Sequence, residues 1–410
     1  MRSKGHLPVL DGLRGLAIAL VLLDHVTLYT PWPGGWPPLL VQIGLFGWAG
    51  VQLFFILSGF LIFLPYAGAL VRRTPWPDPL AFYRRRARRI LPVYFAFLIA
   101  IGLPLALAGH LHVARLPAAI ETALLLHNMD TTAADLVSRL NAPLWTLAIE
   151  WQFYLILPWL ARGIARLGAG RPARLWRPLA LLGALGVGTR ALAGLVHYAG
   201  GQAQPQDAPG ALGLLVRLLF GVQGRYLEEF ALGMGLAMVY VAVIEPGRMA
   251  APLRRHVVGA CLLAAGVGLP LCHLWARAAG LYDLGGGNWP RLSVAGWTWA
   301  VAGQWAVAAC FCLLMAAALL SREMLAHALA VAPLRWLGTI SYSVYIWHLW
   351  VFRLVAPGWL LLPAVILLGA ASYYVIERPF LAARREARGG SGVGRRAGGV
   401  RPAVTASRVG

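Results

Sequence analysis

The chain alternates between long runs of apolar residues and short polar connections. Ten of the runs are about twenty residues long, the length that a helix needs to cross the hydrocarbon core of a bilayer. The pattern therefore predicts an all-α, polytopic integral membrane protein with about ten transmembrane helices. The predicted spans are residues 9–29, 43–64, 90–109, 144–161, 179–198, 226–244, 257–274, 297–320, 337–354 and 359–377.

Basic residues in the connections predict the orientation of the spans. If the N-terminus is cytoplasmic, 27 of the 36 Lys and Arg residues fall in cytoplasmic segments and six in loops on the opposite side. Lys and Arg accumulate in the cytoplasmic loops of membrane proteins. We therefore expect both termini to be cytoplasmic.

Two regions are expected along the chain. Residues 1–380 form the transmembrane domain, and residues 381–410 form a basic tail in which arginines alternate with glycine pairs and no apolar face develops. Such a tail is expected to be flexible and to contact the anionic headgroups of membrane lipids. Lys4 is the only lysine, and this arginine-rich composition indicates a bacterial protein. With ten predicted spans, we expect a multi-pass protein of the plasma (inner) membrane.

Composition agrees with this prediction and excludes two other classes. Hydrophobic residues make up 59% and charged residues 12% of the 410 positions, and the mean hydropathy is +0.67. A soluble globular chain carries about 25% charged residues, and a disordered chain is poor in aromatic residues. The formal net charge of +21 would suit a nucleic-acid binder, but the arginines lie between apolar segments, so no nucleic-acid partner is predicted. The four cysteines show no metal-ligand or disulfide spacing, and we expect no metal and no bound cofactor.

Three predicted spans carry ionisable side chains near their outer ends. His25, with Asp24 beside it, lies four residues from the end of its span, and Glu150 and His348 lie about six residues from the ends of theirs. At about 1.5 Å per residue, these side chains are roughly 6–10 Å below the outer boundary. Ionisable groups in lipid are costly and indicate function, so these residues are candidates for one pocket. The alternative is that each makes an ordinary interhelical hydrogen bond.

Arginines mark the opposite, cytoplasmic end of the same region. Arg14 lies eleven residues before His25, and five arginines between residues 84 and 89 precede the third span. Guanidinium groups bind phosphate in a bidentate manner, so the cluster is a candidate phosphate site. The alternative is that it only follows the general preference for basic residues on the cytoplasmic side.

Six short motifs follow one another along these spans. They are Leu10–Gly15, Phe54–Ile62, Arg85–Pro92, Leu144–Tyr154, Ser341–His348 and Glu377–Phe380. In this order, and on ten spans, they resemble the acyltransferase-3 family of integral membrane acyltransferases over nearly the whole membrane region. The chain departs from the family's usual pattern at Thr146, where serine is common, and at Trp151, where a second acidic residue is common.

The resemblance implies an activity and assigns roles to particular residues. Members of the family move an acyl group, most often acetyl, from cytoplasmic acyl-CoA, as a co-substrate, to a hydroxyl of a carbohydrate or another acceptor. The resemblance also implies that His25 and Arg14 are essential. Arg86 and Arg89, which match the family's Arg-x-x-Arg element, are expected to bind the acyl-CoA together with Arg14.

A mechanism follows as a hypothesis. Neutral histidine is suited to act as a general base near pH 7, so His25 is expected to accept the proton of the acceptor hydroxyl. Asp24 or Glu150 is expected to orient its imidazole ring. The candidates for the acceptor pocket and for hydrogen-bond donors to the oxyanion are Ser58, Tyr342, Tyr345 and His348.

A transporter or flippase for a glycan or a small molecule is the alternative from another class. It predicts inverted repeats and helices broken near the middle of the membrane, and the sequence shows neither. The identity of the acceptor stays open between polysaccharide, lipid-linked oligosaccharide, peptidoglycan and small molecules such as macrolides. The acyl chain length and the oligomeric state are also left open.

Overall fold

The computed structural model describes residues 7–29, 35, 37–109, 116–168, 174–200, 210–222, 224–282, 293–321, 324–354 and 360–382. Within these ranges the regular elements are helices, which confirms the all-α prediction. The basic tail from residue 383 onward lies outside the described residues, so the boundary near residue 380 stays a prediction.

The helices differ widely in length. In the described part of the chain they are α1 (Pro8–Tyr29), α2 (Pro38–Leu45), α3 (Ala49–Arg72), α4 (Pro79–Phe97), α5 (Leu103–Leu107), α6 (Leu116–Ala123), α7 (Thr131–Asn141), α8 (Trp145–Gly168), α9 (Trp176–Gly200), α10 (Gly210–Leu219), α11 (Leu227–Val239), α12 (Ala251–Ala278), α13 (Val294–Thr298), α14 (Gln304–Leu320), α15 (Met324–Leu329), α16 (Ala332–Leu354) and α17 (Leu361–Ser372). Turns of π-helix at Leu98–Gly102, Tyr240–Ile244, Trp299–Gly303 and Tyr373–Glu377 continue α4, α11, α13 and α17.

Seven helical stretches of the described chain are long and apolar enough to cross a membrane. They are Ala49–Arg72, Pro79–Leu107, Trp176–Tyr198, Leu227–Ile244, Ala251–Ala278, Val294–Leu320 and Leu361–Ala382. Each coincides with a predicted span, so the chain is a multi-pass membrane protein. The other three predicted spans are also helices, namely α1, α8 and α16, with 22, 24 and 23 residues. These three helices carry the candidate residues Asp24, His25, Glu150 and His348. The total of ten spans and the cytoplasmic side of both termini stay predictions.

The third span begins earlier than its apolar run. Helix α4 starts at Pro79, where the side chain of Asp78 accepts hydrogen bonds from the backbone N–H groups of Leu80 and Ala81 at 3.1 and 3.0 Å. Such a cap satisfies N–H groups that a helix start leaves unpaired. The arginine cluster therefore lies on a helix, where residues three apart, such as Arg86 and Arg89, share one face.

Glycines bring α1 and α16 into close contact, and the two helices run in the same direction. A Cβ added at Gly15 would lie 2.1 Å from the carbonyl oxygen of Leu334, and one added at Gly338 would lie 1.8 Å from that of Asp11. Only a residue without a side chain allows backbones to approach so closely. This contact at one end of the pair fixes the register that brings His25 and His348 together at the other end.

Short helices cover the end of the bundle where the two histidines lie. The side-chain amide of Asn141, the last residue of α7, donates to the carbonyl of Ile346 in α16 at 2.7 Å. The indole of Trp350 donates to the carbonyl of Leu140 at 2.6 Å. Helices α6 and α7 therefore form a cap that is joined to α16 on either side of His348.

Candidate functional site

Two cavities lie between α1, α3, α8 and α16. Named by the predicted orientation, the outer cavity, which contains His25, has a volume of about 220 Å³, and the inner cavity, which contains Arg86, has one of about 90 Å³. Asp24 and His25 line the outer cavity. Arg14, Arg86 and Arg89 line the inner cavity. The structure thus separates the predicted catalytic histidine from the predicted donor-binding arginines.

The geometry of His25 fixes the form of its imidazole ring. The Nδ1–H group donates to the carbonyl oxygen of Val21 at 2.9 Å, and a carbonyl oxygen can only accept. The neutral ring therefore has its proton on Nδ1, which leaves the lone pair of Nε2 for a substrate proton. The carboxylate of Asp24 lies 3.5 Å from Nδ1. It is therefore close enough to stabilise the imidazolium that forms when Nε2 takes up a proton.

His348, a candidate for the same pocket from its depth, packs against His25. The two rings meet edge to face with their centroids 4.7 Å apart. The Nδ1–H of His348 donates to the carbonyl of Tyr345 at 2.7 Å. Its Nε2 is fully buried and has no hydrogen-bond partner in the described structure. His348 therefore braces the face of the catalytic candidate and has an unused acceptor atom.

Glu150 does not lie beside His25. Its carboxylate accepts hydrogen bonds from the hydroxyls of Ser58 and Tyr154, and all three residues line the inner cavity. Two carboxylates were expected to orient the imidazole of His25. The structure places Asp24 beside this ring and Glu150 among the arginines of the inner cavity. The expected common pocket is thus divided, because an equal distance from the helix ends does not determine which faces of α1 and α8 meet.

Arg89 and Arg86 have different environments in the inner cavity. Arg89 forms an ion pair with the fully buried carboxylate of Glu377 at 2.6 Å, and Glu377 also accepts from the hydroxyl of Ser343 at 2.9 Å. The guanidinium of Arg86 instead lies over two aromatic rings, 5.4 Å from the centroid of Tyr154. No carboxylate in the described chain pairs with Arg86, and its Nε has no partner.

The hydroxyls expected to donate to an oxyanion are already engaged. Tyr342 donates to the carbonyl of Ile90 at 2.7 Å, and Tyr345 donates to that of Pro143 at 2.8 Å. Ser58 donates to Glu150. Each hydroxyl has one hydrogen, so none of the three is a free donor in this arrangement. Tyr342 and Ser58 line the inner cavity, and Tyr345 lines both cavities.

A family model described as an acyltransferase domain matches residues 7–376, which include every residue of both cavities. The chain belongs to the acyltransferase-3 family. The comparison with solved structures gave no match.

Several bacterial members of the family are similar to the chain. It is 29% identical over 399 residues to YrhL of Bacillus subtilis, a candidate peptidoglycan O-acetyltransferase, with 91% of this chain and 55% of the relative covered. It is 25% identical over 359 residues to the O-acetyltransferase OatA of Staphylococcus aureus, with 85% and 51% covered. It is 25% identical over 375 residues to the peptidoglycan O-acetyltransferase OatA of Listeria monocytogenes, with 87% and 51% covered. The chain spans about half the length of these relatives.

Family motifs that are far apart in the sequence meet in this member of the family. Arg89 belongs to the motif that precedes the third span and Glu377 to the motif at the end of the last span, and the two form the buried ion pair. Both motifs are visible in the sequence, but their pairing was not predicted from it. A buried carboxylate needs a cationic or hydrogen-bonding partner, and this requirement was the signal available.

Sequence reasoning also missed the neutral amides of the outer cavity. Gln52 in α3 and Gln304 in α14 line it with His25, and the side-chain amide of Gln52 donates to the carbonyl oxygen of Gln304. A neutral amide in lipid also needs hydrogen-bond partners, so two glutamines within apolar spans were a signal in the sequence alongside the ionisable side chains.

Two adjacent acidic residues, Glu228 and Glu229, lie in the first turn of α11. Both residues are buried, and Glu228 pairs with Arg190 of α9 at 2.6 Å. The guanidinium of Arg190 lies 4.9 Å from the ring centroid of Tyr226, which lines the outer cavity. The cluster therefore supports the wall of the cavity from behind.

Proposed function

We propose that the chain transfers an acyl group, acetyl in particular, from acyl-CoA to a hydroxyl of a glycan acceptor. One observation carries the proposal: a cavity lined by three arginines adjoins a cavity lined by a histidine and an aspartate. The first suits an anionic donor and the second suits proton transfer from a hydroxyl. The relatives named as peptidoglycan O-acetyltransferases favour a glycan as the acceptor.

The donor half of the proposal rests on the charge of the inner cavity. Arg14, Arg86 and Arg89 line the cavity with one carboxylate, that of Glu150, and Arg89 also pairs with a second, that of Glu377. The cavity therefore has an excess of positive charge in a region shielded from water, where electrostatic attraction is strong. The phosphates of CoA are the part of the donor that such a cluster attracts. We assign Arg86 and Arg14 to phosphate binding, and Arg89 to holding α4 against Glu377 as well.

The chemical step takes place in the outer cavity. Nε2 of His25 accepts the proton of the acceptor hydroxyl while its oxygen attacks the thioester carbonyl. The carbon–sulfur bond then breaks, the new ester remains on the acceptor, and the imidazolium returns its proton to the departing thiolate to give CoA–SH. Asp24 stabilises the imidazolium between these two events, as the third member of a catalytic triad does.

Topology gives the two substrates separate routes. With cytoplasmic termini, the arginine cavity opens toward the cytoplasm, where acyl-CoA is made, and the histidine cavity lies toward the outer surface of a bacterial plasma membrane. The thioester must then pass between Val51 and Tyr345, which line both cavities. In this arrangement only the acyl group crosses the membrane, because the bulky nucleotide stays behind.

The proposal is tested with purified protein in lipid nanodiscs. Acetyl-CoA labelled in its acetyl group is supplied with peptidoglycan fragments, with a neutral oligosaccharide or with no acceptor. We expect label in the glycan as an ester together with one equivalent of free CoA, and little CoA release without an acceptor. Folded protein that binds acetyl-CoA and releases no CoA with any acceptor would contradict a transferase that acts alone.

A further inference from the structure

Two neutral amides meet at the outer cavity, inside otherwise apolar helices. Gln52 of α3 is 1% exposed and donates from its side-chain amide to Gln304 of α14. Both residues line the cavity that contains His25. An amide pair in the membrane is commonly explained as a clamp between helices, and such a clamp uses the hydrogen-bonding groups of both partners.

In the pair of Gln52 and Gln304, one hydrogen-bonding group is left without a partner. The carbonyl oxygen Oε1 of Gln52 is buried and has no hydrogen-bond partner in the described structure. A buried acceptor left unpaired destabilises the folded protein, because it has lost its hydrogen bonds to water and gained none in return. An amide pair that only joins α3 to α14 would not keep such an atom, whereas a pair that receives a ligand does.

The helix that carries Gln304 departs from regular α-helical geometry immediately before this residue. The π-helical turn Trp299–Gly303 ends where α14 begins, and π turns inserted into α-helices are frequent at functional sites. A Cβ at Gly303 would lie 2.3 Å from the ring of Trp299. Glycine therefore lets the fully buried indole fold back against its own turn. Together these features fix the register that directs Gln304 to the cavity.

The charge of the outer cavity restricts its occupant. The titratable groups in its described lining are a carboxylate, an imidazole and two phenols, from Asp24, His25, Tyr226 and Tyr345. No Arg or Lys belongs to this lining. Arg190 lies behind the ring of Tyr226 and is already paired with Glu228. An anionic acceptor would meet the carboxylate of Asp24 with no compensating cation. The cavity therefore favours an uncharged molecule.

Size and lining restrict the occupant further. A volume of about 220 Å³ is below the 300–1,000 Å³ typical of sites for drug-sized ligands, so it suits one ring. Trp145 and Tyr226 form an aromatic wall, with ring centroids 5.3 Å apart. Amide groups both donate and accept, as do the hydroxyl and N-acyl groups of sugars.

We propose that Gln52 and Gln304 bind the acceptor, holding one uncharged sugar ring by a hydroxyl or N-acyl group so that a neighbouring hydroxyl faces His25. This inference rests on the proposed function and adds to it the residues that hold the acceptor and the charge that they select. The amide pair acts by position and takes no part in proton transfer.

The test uses Gln52→Met and Gln304→Met, which keep the side-chain volume and remove the amide. Trp305→Leu is the matched control, because Trp305 follows Gln304 but is 44% exposed on the surface of the bundle. We expect both Met variants to raise the KM for N-acetylglucosamine or its oligomers at least tenfold. The KM for acetyl-CoA should change less than twofold, and the control should resemble the wild type in both constants. The wild type should also acylate the neutral sugar at least tenfold more efficiently than glucuronic acid.

A second measurement separates this inference from the proposed function. Saturation-transfer NMR reports binding of N-acetylglucosamine to protein in nanodiscs without any turnover, and we expect the signal to weaken in both Met variants. If the wild type transfers acetyl groups and the variants keep the wild-type KM, the acceptor assignment is wrong and the proposed function stands. If the wild type transfers nothing, the proposed function fails, and equal NMR binding by wild type and variants overturns the acceptor assignment as well.

Discussion

Val51 of α3 and Tyr345 of α16 each line both the arginine cavity and the histidine cavity. The ring of Tyr345 is held there by its hydroxyl, which donates to the carbonyl of Pro143 at 2.8 Å and lies 2.9 Å from the hydroxyl of Thr146. The two side chains thus form the partition between the proposed donor site and the proposed acceptor site. A thioester that enters from the inner cavity must pass this partition before it meets His25.

Removal of the partition should uncouple the use of the donor from the presence of an acceptor. In Tyr345→Ala, water in the outer cavity gains access to the thioester, and we expect acetyl-CoA hydrolysis without acceptor to rise about tenfold. Tyr345→Phe keeps the ring and loses one hydrogen bond, which costs about 0.5–1.5 kcal/mol, so its hydrolysis should stay near the wild-type rate. Measurement of free CoA without acceptor checks both. Equal hydrolysis by Tyr345→Ala and wild type would mean that the ring does not separate the cavities.

Replacement of Arg86 should weaken the binding of acetyl-CoA. Arg86 lies on aromatic rings and keeps a guanidinium nitrogen unpaired, so it is available to a phosphate. Loss of a hydrogen bond to a charged group costs about 1.5–3 kcal/mol, which corresponds to a rise of about 10- to 100-fold in the KM for acetyl-CoA in Arg86→Met. Arg84→Met, on the exposed side of the same helix, is the control and should leave this KM unchanged. A wild-type KM in both variants would remove Arg86 from the donor site.

The ion pair between Arg89 and Glu377 should be measurable as stability. Glu377→Ala leaves a largely buried guanidinium without its partner, and the loss of one member of a buried pair costs about 3–5 kcal/mol. Thermal unfolding in detergent should show a large fall in Tm for this variant and a small one for Ser343→Ala, which removes a single hydrogen bond to the carboxylate. The double replacement Arg89→Met with Glu377→Met should recover most of the loss. Equal Tm values for Glu377→Ala and wild type would show that the pair does not hold α4 to the last span.

The cap over the histidine end should loosen in acid. His127, between α6 and α7, is fully buried, and desolvation lowers the pKa of its imidazole to about 4 from an ordinary value near 6.5. Above pH 6.5 both the folded and the unfolded forms are neutral. As the pH falls from 6.5 to 4, the unfolded chain binds a proton that the folded chain does not, so stability decreases.

Hydrogen exchange across residues 116–141 checks this expectation. Protection should fall between pH 7 and pH 5 in the wild type. In His127→Gln, which carries no titrating group at this position, the decrease should be smaller. The same decrease in both proteins would assign the acid sensitivity to other groups.

The sequence predicted the positions of the helices well, but it predicted poorly which side chains of different helices are in contact. Apolar runs of about twenty residues predict spans because a bilayer requires that length, and each predicted span coincides with a helix. The start of α4 was missed, because Asp78 and Pro79 begin the helix well before its apolar part.

Which side chains meet depends on how helix faces are turned toward each other, and spacing along one helix does not contain that information. His25 and His348 were candidates for one pocket because of their depth, and Gly15 and Gly338 supply the close packing of α1 on α16 that brings the two rings together. The same argument placed Glu150 with His25, whereas α8 turns Glu150 toward Ser58. Depth in the membrane is therefore a necessary condition for contact and not a sufficient one.

The most direct test of the central claim is acceptor-dependent release of CoA by His25→Ala. Loss of a general base lowers the rate by about 10²- to 10⁴-fold, so this variant, folded and with a wild-type affinity for acetyl-CoA, should release CoA at no more than about 1% of the wild-type rate. His256→Ala, an exposed histidine in α12, serves as the control and should retain the full rate. Release by His25→Ala at the wild-type rate would contradict the assignment of His25 as the base and, with it, the mechanism proposed for the outer cavity.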